Sequence, residues 1–301
     1  MIRSVNERTE ELCKKLILNQ GVTEENVFII HERPFSRAMR VGYQLGIDRE
    51  LPWTYCVDAD VLLKDGAIRE MIRIIEKMHD NTLGISGELL DKLSGERRSA
   101  GNHLFRTMHL FRLIENIKSF KDETIRPESS AIKKMHDQGY SFKKNVLFIG
   151  LHDFEQHYHD IARKAFTHSK KHKKHICEFV SFWTKKAYVD NDFKAALFGL
   201  SKGLLHLDDV KINVDDFMQL SKETTDKFGI KSETVSDFSI QSIKDVYDAM
   251  NNQNNYFITD AELEDKYEKI FRKKINERSY KNVIKLILVK VLHDIKNRFC
   301  L

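Results

Sequence analysis

Two carboxylates stand one residue apart, Asp58 and Asp60, in "WTYCVDADVLLKDGAI" at residues 53–68, with an apolar run on either side. Strand residues two apart share a face, and carboxylates held that close repel each other unless a cation or a proton lies between them. Oxygen ligands suit hard divalent ions, so the pair is read as a site for Mn2+ or Mg2+. The competing reading is a loop with two solvated aspartates, or a cap for the helix that "GAIREM" begins. A second candidate is His152 in "VLFIGLHDFEQHYHDIARKAF", at the end of an apolar run. Asp153 and Gln156 have capping-box spacing, which predicts a helix starting there with Phe154, Tyr158, Ile161, Ala165 and Phe166 on its apolar face. The free N–H groups of such a helix start favour a diphosphate nearby. A lone histidine satisfied within the core is the alternative for His152.

The elements that must carry these residues follow from periodicity. "NVFII" (26–30), "WTYCV" (53–57), "TLGIS" (82–86) and "NVLFIG" (145–150) read as buried strands. "TEELCKKLILNQ", "SRAMRVGYQLGI" and "AIREMIRIIEKMHD" between them have helical spacing. Strand and helix in turn predict an α/β layer with parallel strands, and ligands in such sheets gather at the carboxyl ends of the strands, where Asp58 and Asp60 fall. All three prolines precede residue 128, and only Gly199, Gly203 and Gly229 follow Gly150, so the second half reads as mainly helical. Two regions are expected: a core over 1–160 and a helical region over 161–301. At 301 residues and 41% hydrophobic content the chain can bury an ordinary core. Four scattered cysteines without a CxxC pair speak against a disulfide framework or a structural zinc. Arg3, Glu7 and Arg8 interrupt any apolar secretory segment at the start, so a cytoplasmic location is expected.

This order resembles the GT-A-fold nucleotide-sugar glycosyltransferases, the family-2-like group in particular, over roughly residues 2–160. A short first strand in "IRSVNERT" is followed by a helix, a second strand ends near Glu32 in "FIIHERP", another helix follows, and then the DxD. The resemblance implies a Rossmann-type core and transfer of a sugar, of hexosyl type, from a nucleoside diphosphate donor to an acceptor hydroxyl. It implies that Asp58 and Asp60 hold the metal bridging the diphosphate, and that the Asn6–Arg8 loop and Glu32 contact the nucleoside. A histidine after the last core strand often completes the metal site in that fold, which points to His152. An inverting enzyme also needs a carboxylate base near the acceptor. Asp91 and Glu128 are the candidates, each with a solvated residue or a helix cap as the competing reading. The same strand-then-DxD pattern is similar to haloacid dehalogenase-like phosphatases, although Leu62 stands where that family wants Thr or Val. His152–Asp153 is similar to the pair of HD-type phosphohydrolases, which carry it in a helical domain. A basic, helix-rich binding protein without catalysis is the remaining alternative.

In "SGERRSAGNHLFRTMHLFR" (94–112), Arg97, Arg98, His103 and Arg106 could contact donor phosphates or the acceptor. Otherwise the stretch is a polar loop entering a helix that turns Leu104, Met108 and Phe111 to the core. Residues 161–186 hold eight Lys and Arg against the single acid Glu178, in a chain whose formal charge is +5. Such a run could grip an anionic membrane surface or a lipid-linked or glycan acceptor, with nucleic acid less favoured; a solvated helix face is the ordinary explanation. Near the C-terminus Ile284, Leu288, Val291, Ile295 and Phe299 share a helical face among lysines. That pattern fits a peripheral helix at the inner face of a membrane, or one docked on the protein itself.

Overall fold

The computed structural model describes residues 1–118, 127–144, 146–206 and 223. It divides into two units, Met1–Gln156 and a second from His157 onward, where the sequence placed the boundary after residue 160. The amphipathic segment at 283–299 lies outside the described residues.

The first unit is α/β. In chain order it contains β1 (Ile2–Arg3), α1 (Glu10–Leu18), β2 (Ile29–Ile30), α2 (Phe35–Asp48), β3 (Trp53–Asp58), β4 (Val61–Leu63) and α3 (Ala67–Glu76). There follow β5 (Thr82–Ile85), β6 (Glu88–Asp91), β7 (Arg97–Arg98), β8 (Asn102–Arg106), α4 (Leu110–Lys118), α5 (Pro127–Asp137), β9 (Ser141–Lys143) and β10 (Phe148–His152). Six strands form a sheet in the order β2-β1-β3-β8-β5-β9. It is mixed and mostly parallel: β2, β1 and β3 run together, β5 and β9 run together, and β8 alone is antiparallel to both its neighbours.

Alternation along the strands fills both faces. Val57, Ile85 and Leu104 enter a core with Cys13 and Ile17 of α1 and Ala67, Ile68, Met71 and Ile75 of α3. The adjacent Cys56 and Phe105 enter the opposite core, together with Leu83 of β5, Met39 and Tyr43 of α2, Leu110, Leu113, Ile114 and Ile117 of α4, and Ala131 and Met135 of α5. Burying one such Leu, Ile or Phe stabilises by about 1.5–3 kcal/mol. A smaller sheet, β4-β10-β6-β7, lies at the end of β3.

Several expectations are corrected. "IRSVNERT" pairs only over Ile2–Arg3, because the backbone turns at Asn6 (φ 69°). "NVFII" pairs only at Ile29–Ile30, its start being taken by a 3-10 turn at Glu24–Asn26. The strand expected at 145–150 runs from Phe148 to His152 and belongs to the smaller sheet. "NHLFR" is neither loop nor helix but the antiparallel strand β8; Leu104 is buried there, while Met108 and Phe111 are 72% and 64% exposed. Cys13 and Cys56 are free cysteines buried in the core.

The second unit contains α6 (Tyr158–Lys171), α7 (Ile176–Lys186) and α8 (Asn191–Leu205). Asp190 caps α8, its carboxylate accepting from the Asp192 N–H at 2.9 Å. α6 and α8 pack closely because small residues face each other's backbone: a Cβ on Gly199 would lie 2.1 Å from the Ala162 carbonyl oxygen. Among the described residues no helix is long and apolar enough to cross a membrane.

Candidate active site

The chain leaves β1 for β2 on one side and later returns to β3 on the other, so the strand order reverses around β1. Such a switch point opens a crevice beyond the carboxyl ends of the strands. Arg3 and Asp58 end β1 and β3 there and are paired in register. Arg3 Nε donates to Asp58 Oδ1 at 2.8 Å and its Nη1 to Glu128 Oε1, also at 2.8 Å. The Phe35 ring covers the guanidinium at 4.9 Å. Nη2 of this side chain, only 4% exposed, has no partner among the described residues. Glu128, in the first turn of α5, also accepts from the Tyr43 hydroxyl at 3.0 Å, and His103 Nδ1 lies 3.2 Å from its Oε2. Burial would raise the Glu128 carboxyl, but Arg3 and His103 overcome that and hold it below its usual range. Burial pushes the Asp58 carboxyl up to about 7, with Arg3 opposing and Asp60 and Glu128 reinforcing the rise.

Asp60 sits one turn beyond β3, so the alternation that would have put it on the same face as Asp58 does not apply. It turns toward β10. His152, the last residue of that strand, is in register with Val61 of β4 on one side and Asp91 of β6 on the other. An irregularity between Phe148 and Gly150 in the β10–β6 pairing sets how far His152 advances along the strand. Its Nε2 lies 3.5 Å from Asp60 Oδ1, and its Nδ1 lies 2.8 Å from Asp91 Oδ2 and 3.1 Å from Asp153 Oδ2. All four side chains are buried. Burial would lower the imidazole, yet Asp153, Asp60 and Asp91 raise it to about 10. Asp91 is held down at about 2: burial works against this, and Arg98 and His152 overcome it.

Asp60, His152 and Asp153 could together hold a metal ion, each offering one atom within 4.8 Å of the others. The Asp60 Oδ1–His152 Nε2 separation of 3.5 Å leaves both atoms within reach of one ion. Carboxylates with one imidazole suit manganese better than the all-oxygen preference of magnesium. Asp58 stands outside this set, held by Arg3.

The other candidate residues are dispersed. Asn6 is exposed, its N–H bonded to Ser4 Oγ at 3.0 Å. Arg8 is half-buried in the same loop. Glu32 pairs with Arg37 at 2.8 Å. Arg97 lays its guanidinium over the Phe148 ring at 4.5 Å, and Arg98 pairs with Asp91, so neither cation is presented as a bare phosphate contact. Asp91 and Glu128 are not solvated, nor is either an open base: Asp91 accepts from the Ser94 N–H at 2.7 Å, from Arg98 and from His152. The helix expected from Asp153 begins at Tyr158, because Asp153 and Glu155 adopt positive φ (65° and 55°) and the Gln156 amide donates to Thr9 Oγ1 at 3.0 Å instead of capping. Sequence reasoning missed Arg3 as a site residue and met Asp153 only as a helix cap and in the HD-type alternative. The one available signal for Arg3 was a charge within an apolar strand start.

No family model matches the chain, and no curated protein is significantly similar to it. The residues themselves carry the functional reading.

Proposed function

We propose that this protein is a metal-dependent glycosyltransferase that moves a sugar from a nucleoside diphosphate sugar to an acceptor hydroxyl. The observation that supports it best is the meeting, within one unit, of a strand-order reversal at Arg3 and Asp58 with an Asp60–His152–Asp153 cluster just beyond the same strand end. A nucleotide needs the crevice, and its diphosphate needs positive charge. A divalent cation, Mn2+ by the chemistry of the donor set, would supply neutralisation of the charge that develops on the departing diphosphate. Asp60, His152 and Asp153 would hold it. Arg3 offers a buried N–H donor at Nη2 for an oxygen of the bound nucleotide. Asp58, fixed by Arg3 and backed by Gly101, where a Cβ would come within 2.8 Å of Oδ2, is placed to accept from a donor hydroxyl. Glu128 and Asp91 position these groups. The basic residues of α6 and α7 suit an anionic or lipid-linked acceptor at a membrane surface.

A thermal-shift panel of nucleoside diphosphates and their sugars, with and without Mn2+, tests the reading. A donor at about 100 times its Kd should add roughly 2.7 kcal/mol of stability, only with Mn2+ present, and Asp60→Asn should remove that gain while melting near the parent temperature. Absence of any Mn2+-dependent nucleotide shift, or hydrolysis of simple phosphate esters in its place, would overturn the assignment.

A further inference from the structure

We infer that Asp91 is a positioning residue: it fixes the tautomer and orientation of His152 so that Nε2 is presented to a cation shared with Asp60. This rests on the metal reading above and extends it to a residue that binds neither metal nor donor.

Asp91 is fully buried at the end of β6. Its carboxylate receives the Ser94 N–H at Oδ1, at 2.7 Å, and Arg98 at Oδ2. Two donors converging on it make it an acceptor, so the third neighbour, His152 Nδ1 at 2.8 Å, must be the one that carries hydrogen. Nδ1 is thereby kept as the N–H that Asp91 receives, and Nε2, the nitrogen that faces Asp60, is the one that can give up its hydrogen to a cation. Ligating imidazoles commonly donate their other N–H to a carboxylate, which sets ring orientation and strengthens the ligand. Here the arrangement is built into the ladder, because His152 and Asp91 are direct partners on adjacent parallel strands. Arg98 and the Ser94 turn hold the carboxylate from behind.

Mn2+ titration, followed by the electron paramagnetic resonance signal of the free ion, separates the outcomes when done on the full chain and on Asp91→Asn and Arg98→Gln. Apo melting temperatures are read alongside. A positioning role predicts Mn2+ affinity about 10–100-fold weaker in Asp91→Asn, with Arg98→Gln near the parent value because Ser94 still anchors the carboxylate. Equal affinity in Asp91→Asn and the parent would overturn the inference and leave the metal site standing. Equal weakening in both variants, tracking their melting temperatures, would also overturn it, since Asp91 would then be only a buried counter-ion. If Asp91→Asn does not fold, Asp91→Glu keeps the charge on Arg98 but displaces the carboxylate by one methylene, and should weaken Mn2+ likewise. A parent protein that binds no Mn2+ sinks the metal reading itself.

Discussion

At the residue scale the first unit is organised around one buried arginine. Arg3 and Glu128 are nearly excluded from solvent, at 4% and 11% exposure, and removing one member of such a pair strands the other's charge. Glu128→Gln should therefore destabilise by about 3 kcal/mol, read by urea denaturation, whereas Lys118→Gln, an exposed pair with Glu115, should shift stability by less than about 0.5 kcal/mol. His103 gives a pH signature. Burial holds its ring down at about 4, with Arg3 and Lys144 assisting and Glu128 opposing. Because the folded value lies below the ordinary 6.5, its contribution is whole above pH 6.5 and is lost as pH falls through 4. The stability advantage of the parent over His103→Phe should accordingly shrink by about 2 kcal/mol between pH 7 and pH 4.5, at 1.36 kcal/mol per pH unit of displaced titration. The spacing of Asp58 and Asp60 and the strand-end place of His152 were legible in the sequence. Their partners were not: Arg3 meets Asp58 and Glu128 across 55 and 125 residues, and no local period encodes a meeting at that separation.

At the element scale, long amphipathic helices were readable because a repeated apolar stripe survives any tertiary context. α1, α2 and α3 all stand where the pattern put them. Short strands were not. β8 has a sequence, "NHLFR", whose apolar spacing continues into α4, and only its pairing between β3 and β5 makes it extended. The start of α6 moved for the same kind of reason, since Asp153 is drawn to His152 and is no longer available as a cap. β10 is the element on which the site depends most. It lies against β4 so closely that a Cβ on Gly150 would come 2.3 Å from the Leu62 carbonyl oxygen. Gly150→Ala should cost about 1–3 kcal/mol, as overpacking does, and should also weaken Mn2+ binding by displacing His152. Gly139→Ala, with open space around its Cβ but φ +89°, should destabilise through backbone strain and leave Mn2+ affinity unchanged. Calorimetric melting beside Mn2+ titration distinguishes the two.

At the scale of the whole molecule, the small sheet gathers its pieces from far along the chain. Asp91 and His152 meet on neighbouring strands, beside Asp60 in the turn before β4, although the first two are 61 residues apart in sequence. Closing loops of that length demands entropy that local contacts cannot return, so such pairings form late. Synthesis proceeds from the N-terminus, and the aspartate pair leaves the ribosome long before β10 does. A growing chain halted at residue 140 would already display Asp58 and Asp60 but would have nothing with which to clasp a cation; one halted beyond α8 would. Retention of Mn2+ by ribosome-stalled chains of graded length should thus switch on in a single step once β10 has cleared the exit tunnel. The ion would act as a seal that the protein can receive only after its first unit has been finished.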